Sequence, residues 1–201
     1  MRTLTRSDTR GAVATGAVVF EAALLTPLLV VIMLGIVEMA LLMRDNVALN
    51  SLIHTGGKAA TSFAVDADRP AATVADAPAT TLSDLTASAI EQAKTTLSKD
   101  SISELWVYEA NPAGFPLRNG TDHFARCDDG CAAYAWDADA QEFHRTGGRL
   151  GAHDIDACGS SFGVYVKANH SFLTGVFQGV TITKHETFQL GDGADCRVAT
   201  S

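Results

Sequence analysis

The sequence predicts an α+β protein: a long N-terminal transmembrane helix followed by an extracytoplasmic domain in which an antiparallel sheet carries a packed helix. Three observations lead there. An apolar run occupies Gly16–Met43, interrupted near its start by one carboxylate, Glu21. Downstream, one stretch of helical periodicity precedes several short stretches of alternating, aromatic-rich character. All four cysteines lie beyond the apolar run.

The apolar run sets the topology. Ala22–Met43 holds 22 residues without a basic side chain, which as a helix extend about 33 Å at about 1.5 Å per residue, enough for a hydrocarbon core of about 30 Å. Arg2, Arg6 and Arg10 precede the run and Arg44-Asp45 follows it, so the basic arm stays cytoplasmic and the remainder is exported. A cleavable secretory signal has a shorter apolar region, about 7 to 15 residues, and ends in small residues; this run ends in Leu41-Leu42-Met43. The expected location is therefore a single pass of the cytoplasmic membrane with the C-terminal domain outside.

Length alone leaves Glu21 unexplained. An ionisable group at the centre of a membrane helix costs about 2.5–3.5 kcal/mol, less near an end. Glu21 either snorkels to the interface or has a partner in the membrane. If a peptidase cuts after Gly16, Ala17 becomes the N-terminus and one helical turn separates its ammonium from the Glu21 carboxylate. An ammonium on a neighbouring helix would then give Glu21 a charge-assisted partner in low dielectric and fix the axial register of packed subunits. The helices themselves would pack through dispersion and small residues such as Ala22, Ala23, Gly35 and Ala40. Pro27 removes a backbone donor and predicts a kink or local melting near Leu24, or is an ordinary transmembrane proline.

The stretch RGAVATGAVVFEAALLTPLLVVIMLGIVEMALL resembles the type IV prepilin signal. With Pro27 and Gly35-Ile36-Val37-Glu38 it is similar to TadE-like pseudopilins of Flp/Tad pilus systems. The resemblance implies processing at Gly16 and Ala17, and an assembly role for Glu21. Phe20 precedes the acid, whereas major Flp pilins usually carry an aromatic after it, so the resemblance points to a minor pilin or pseudopilin. It further implies as partners other pilin subunits, a prepilin peptidase and the Tad inner-membrane assembly machinery, with membrane lipid around the helix.

In chain order, residues 1–16 form a basic cytoplasmic leader, and the helix is expected from Ala17 to about Ala64, membrane-spanning to about Met43 and loosened at Gly56-Gly57. Residues 65–81 are rich in Ala, Asp, Pro and Thr and read as a linker. Residues 82–201 form the head. Ser83 stands at an N-cap position, with Leu85, Ala89, Ile90, Ala93 and Leu97 giving an amphipathic helix over 83–98. Strands are expected at Ile102–Glu109, before the turn Asn111-Pro112-Ala113-Gly114, and as a hairpin at Ala132–Trp136 and Glu142–Arg145 around Asp137–Ala140. The last two are expected at Phe162–Ala168 and Val180–Leu190. These last two stretches, with the connection between them, resemble the C-terminal part of actinobacterial TadE-like proteins.

Cys127, Cys131, Cys158 and Cys196 make an even set in a compartment where disulfides persist, and two bridges follow. Of three connectivities, a hairpin centred near Thr174 favours Cys127–Cys131 with Cys158–Cys196. A metal site is the rival, but C-x-x-x-C without a partner pair or close histidines is a weak signal.

The 15 Lys and Arg against 23 Asp and Glu give a net charge of -8. Residues 1–16 carry three Arg and one Asp, so removing their +2 leaves -10, which argues against nucleic acid as a partner. No G-x-S-x-G, Walker A or H-E-x-x-H motif occurs. The six histidines are scattered, and the His153-Asp154 pair has no nucleophile placed by motif. No enzyme activity and no cofactor are expected. The function read from the sequence is that of a processed minor pilin or pseudopilin in a Flp/Tad pilus or secretion filament, serving adhesion or secretion. Its alternative is a signal-anchored extracytoplasmic binding domain that stays in the membrane.

Overall fold

Apolar residues without strong punctuation build the first element. A computed structural model describes residues 10–67, 82–117, 124–150, 161–175 and 179–190. Helix α1 runs over Arg10–Ala67 and passes unbroken through Pro27. It starts seven residues before the expected Ala17, because nothing between Arg10 and Gly16 stops a helix. The chain divides into two compact units, residues 1–42 and 43–201.

Over residues 18–34, in the first unit, the side chains of α1 are exposed around the whole helix, Phe20, Leu24, Leu28, Val31 and Met33 among them. A helix apolar on every side belongs in a core or in lipid. In the second unit the same helix becomes one-sided. Asp45, Ala48, Leu49, Leu52, Ile53 and Ala60 are buried, while Val47 and Ser51 are exposed. Spacings of three and four place the buried set on a single stripe.

Gly56 and Gly57 continue that stripe and do not loosen the helix. A Cβ on Gly56 would meet Ile90 and Thr86, and one on Gly57 would collide with the Phe188 ring. The glycines are where the helix comes closest to its neighbours; the expected loosening is corrected by this packing.

Helix α2, Leu82–Gln92, is shorter than the expected 83–98 and takes Ser83 into its first turn, fully buried. A side chain from just beyond caps its C-terminal end: Lys99 Nζ donates to the carbonyls of Ile90 (2.6 Å) and Ala93 (3.1 Å), satisfying acceptors that an ending helix leaves open. Burial lowers the Lys99 pKa, partly opposed by Glu91. Beyond it Leu97 turns into the core, and a short 3-10 turn, Lys99–Ser101, leads into the sheet.

Five strands follow: β1 Ile102–Ala110, β2 Cys131–Asp137, β3 Glu142–Gly147, β4 Ser161–His170 and β5 Val180–Gln189. All pairs are antiparallel, in the order β3-β2-β1-β4-β5. Turn chemistry matches the sequence. Asn111 Oδ1 accepts from the amides of Ala113 and Phe115, and the Gly114 amide donates to Asn111 O. The Asp137 carboxylate closes the β2–β3 turn by accepting from Ala140 and Asp139, which lowers its pKa.

Register sorts the sheet residues into two faces. Leu105, Val107, Ala132, Tyr134, Phe162, Val164, Val166 and Phe188 share one face. The buried stripe of α1 and helix α2 cover it: Gly57 meets Phe188, and Tyr134 Oη donates to Asp84 at 2.6 Å. Trp136 Nε1 donates to Asp100 at 2.8 Å on the same side. The opposite face carries Trp106, Tyr108, Cys131 and Tyr165, packed against Phe124 and Cys127. Phe124 stacks on Tyr165 with centroids 4.5 Å apart. A loop, not a helix, covers this second face.

Candidate functional site

The residues singled out from the sequence fall in two places. Gly16 and Ala17 lie within α1. Glu21 is exposed on the same helix, one turn along, among exposed apolar side chains. Thr26 Oγ1 donates to Ala22 O at 2.6 Å, a local bond in the turn that Pro27 deprives of an amide donor. A Cβ added to Gly35 would meet nothing within 4 Å. Residues 18–35 therefore present one carboxylate, Glu21, and a flush glycine on an apolar cylinder, while another carboxylate of this unit, Glu38, is buried. The stretch Val18–Ser62 contains a window long and apolar enough to cross a membrane.

In the head, Cys127 and Cys131 form the disulfide expected of them, closing a small loop. Gly148 sits against it in a left-handed conformation, φ +81°, where a Cβ would strike the Cys131 carbonyl. Parallel bridging of Asp129 with Arg149 seals the loop: Gly130 donates to Arg149 O and Arg149 to Asp128 O. Asp128, Asp129, Gly148 and Arg149 line a shallow polar depression, crossed by the Arg149–Asp129 ion pair at 3.2 Å. Cys158, Cys196 and the His153-Asp154 pair lie outside the described residues. Among the described residues no group of three or more His, Cys, Asp or Glu side chains could hold a metal ion.

The structure also brings together residues that the sequence did not pair. His170 Nδ1 lies 2.7 Å from Asp45 Oδ2, and the two side chains are only 5% and 11% exposed. A buried hydrogen-bonded pair of this kind holds its two elements in one relation and is costly to break from one side. The available signal was periodicity: Asp45 falls on the stripe of Ala48, Leu49, Leu52 and Ile53, where an unpaired acid is not tolerated. Its partner, 125 residues away, carried no such mark. Further along the same helix, His54 Nε2 stands 3.4 Å from Glu186. His185 packs on Phe124 and Phe115, and burial lowers its pKa.

No curated protein and no solved structure matches this chain. Residues 16–57 match the family model described as TadE-like protein. The match begins at Gly16, takes in Glu21 and the apolar run, and ends at Gly57, where the helix meets Phe188. Over this segment the chain is similar to TadE-like proteins, consistent with a TadE-like protein of Tad pilus systems.

Proposed function

We propose that this protein is a membrane-anchored minor pilin or pseudopilin of a Tad-type pilus system, a structural subunit without enzymatic activity. One observation carries the reading: Glu21 stands five residues after Gly16 and is the one carboxylate in the stretch 18–34, which is apolar and exposed around its circumference, inside the TadE-like segment. A prepilin peptidase would cut between Gly16 and Ala17 on the cytoplasmic side. Because α1 already includes that bond, cleavage requires local unwinding, which Gly11 and Gly16 ease by about 1 kcal/mol each relative to Ala. The released Ala17 ammonium of one subunit then pairs with Glu21 of a neighbour, and the exported head faces outward from the single pass. The other subunits and the Tad assembly machinery of the membrane are its partners.

The test is N-terminal sequencing of protein purified from membranes and from assembled material. Ala17 at the N-terminus supports processing, and a Gly16→Trp variant should keep the basic arm. Met1 or Arg2 at the N-terminus of assembled protein would replace this reading with that of a signal-anchored binding domain.

A further inference from the structure

We propose that the outer edge of β5 pairs with the same edge of a second copy, antiparallel and centred on His185, so that two five-stranded sheets join into one. The pairing involves residues 43–201 alone and does not depend on how the chain is processed.

The two edges of the sheet differ. β3 has six residues, and the Glu91 carboxylate of α2 accepts from its Phe143 amide at 3.3 Å, so a side chain already serves part of that edge. β5 has ten residues, all paired to β4 on one side. Among the described residues no strand pairs with its other side. A row of backbone donors and acceptors of that length is a template for a further strand.

The side chains select the strand that fits. β5 contains Thr181-Ile182-Thr183-Lys184-His185-Glu186-Thr187-Phe188-Gln189. Laid antiparallel on its own copy with His185 on the two-fold axis, it sets Lys184 opposite Glu186, Thr183 opposite Thr187 and Ile182 opposite Phe188, each twice. Residues directly opposite share a face, so Ile182, Lys184, Glu186 and Phe188 stay on the helix-covered side in both copies. Neighbouring registers lose this match. Centring on Lys184 or on Glu186 sets like charges on the axis, and centring on Thr183 or on Thr187 sets both charges opposite apolar residues. Parallel pairing in register stacks each charge on itself. Lys184 and Glu186 thus guard the edge against other strands while matching their own copy. The Glu186 side chain is 40% exposed, with His54 at 3.4 Å, and has room for a second cation.

Helix α1 permits the approach. It meets His170 of β4 at Asp45 and Phe188 of β5 at Gly57, so it crosses from β4 towards β5. In the pair, the Gly57 end of one helix lies beside the Asp45 end of the other, and with strands about 4.8 Å apart the axes pass at about 10 Å, an ordinary helix-packing distance. The two head segments of α1 run antiparallel there. This closed, two-fold contact is therefore distinct from the packing proposed around Glu21.

The experiment measures the mass of the full chain in detergent micelles by sedimentation, at about pH 8, where histidine is neutral. A concentration-dependent pair is expected. Lys184→Glu or Glu186→Lys alone turns both cross-strand attractions into repulsions and should weaken pairing about tenfold. Both substitutions in one chain should restore it to within about twofold of the parent. Unfolding read from Trp106 and Trp136 checks that each variant is folded. The register is tested by mild oxidation: His185→Cys should give a disulfide-linked dimer, because the two copies of that position meet on the axis. Thr181→Cys should not, since its own copy lies eight residues away along the strand, about 26 Å. A chain that stays monomeric at about 100 µM overturns the proposal. So does a pair that withstands both single substitutions or cross-links equally through position 181, which is held elsewhere, and so does a folded double variant that fails to pair. None of these results bears on cleavage after Gly16, which N-terminal sequencing reads separately.

Discussion

The two stretches of α1 are equally helical, but they are built for different surroundings. Residues 18–34 expose apolar side chains on every side, with Glu21 the one charge among them. Residues 45–60 bury one stripe and expose the rest. In the second stretch the hydrophobic effect acts between protein surfaces, and removing a buried side chain opens a cavity. If the first stretch lies in lipid, as proposed, its surroundings are themselves apolar, and affinity between helices would come from close packing and from the one charge. The same helix thus serves the folding of the head in one half and, on the proposed reading, assembly in the other.

That division can be broken most directly at leucines. Leu52 is fully buried, and Leu52→Ala should cost the head about 2–5 kcal/mol, read by denaturant unfolding of the full chain in detergent. Both tryptophans, Trp106 and Trp136, lie in the head and report on it. Leu28→Ala should leave that transition unmoved; an equal shift would erase the distinction between the halves. Glycines sharpen the contrast. Gly57→Leu must displace the Phe188 ring and should destabilise by about 1–3 kcal/mol, whereas Gly35→Leu, with open space around it, should change co-assembly and not the head's unfolding.

Smaller effects separate the head's own contributions. Tyr134→Phe removes the hydrogen bond to Asp84 and should cost about 1 kcal/mol in the same unfolding measurement. Burial lowers the His185 pKa, so the unfolded chain binds the proton more readily. The stability that His185 contributes is thus present above its ordinary value, near 6.5, and is lost as pH falls through the lowered folded value. A pH series on the parent and on His185→Gln should show that component only in the parent. Glu21→Gln should have the smallest effect on the head, none, while abolishing cross-linking to other pilus subunits at equal membrane abundance. Co-assembly at the parent's level would reduce Glu21 to a tolerated interfacial acid.

How much of this was legible depended on the range of the interaction responsible. The apolar run, the turn at Asn111–Gly114 and all five strands could be read because each is set by periodicity and turn chemistry within about ten residues. The pair Cys127 and Cys131, four residues apart, was legible for the same reason. Helix α2 was read too long because apolar periodicity does not mark its stop: Leu97 keeps the helical spacing, but the Lys99 side chain folds back to cap Ile90 and Ala93. Gly56-Gly57 was read as a weakness because glycine lowers helix propensity, and only the presence of Phe188 turns it into a close contact.

By itself the sequence determined that a helix long enough to cross a membrane carries one acid near its start, and that an antiparallel α+β head follows. Those properties depend on side-chain type and spacing alone. Tertiary structure decided the strand order β3-β2-β1-β4-β5, the division of the sheet into a helix-covered and a loop-covered face, and the pairing of Asp45 with His170. Each joins residues far apart in the chain, and local preference cannot select among the many ways of closing such loops. In the observed packing the stripe of α1 is buried against the sheet, and the same register brings Asp45 to His170 and Gly57 to Phe188.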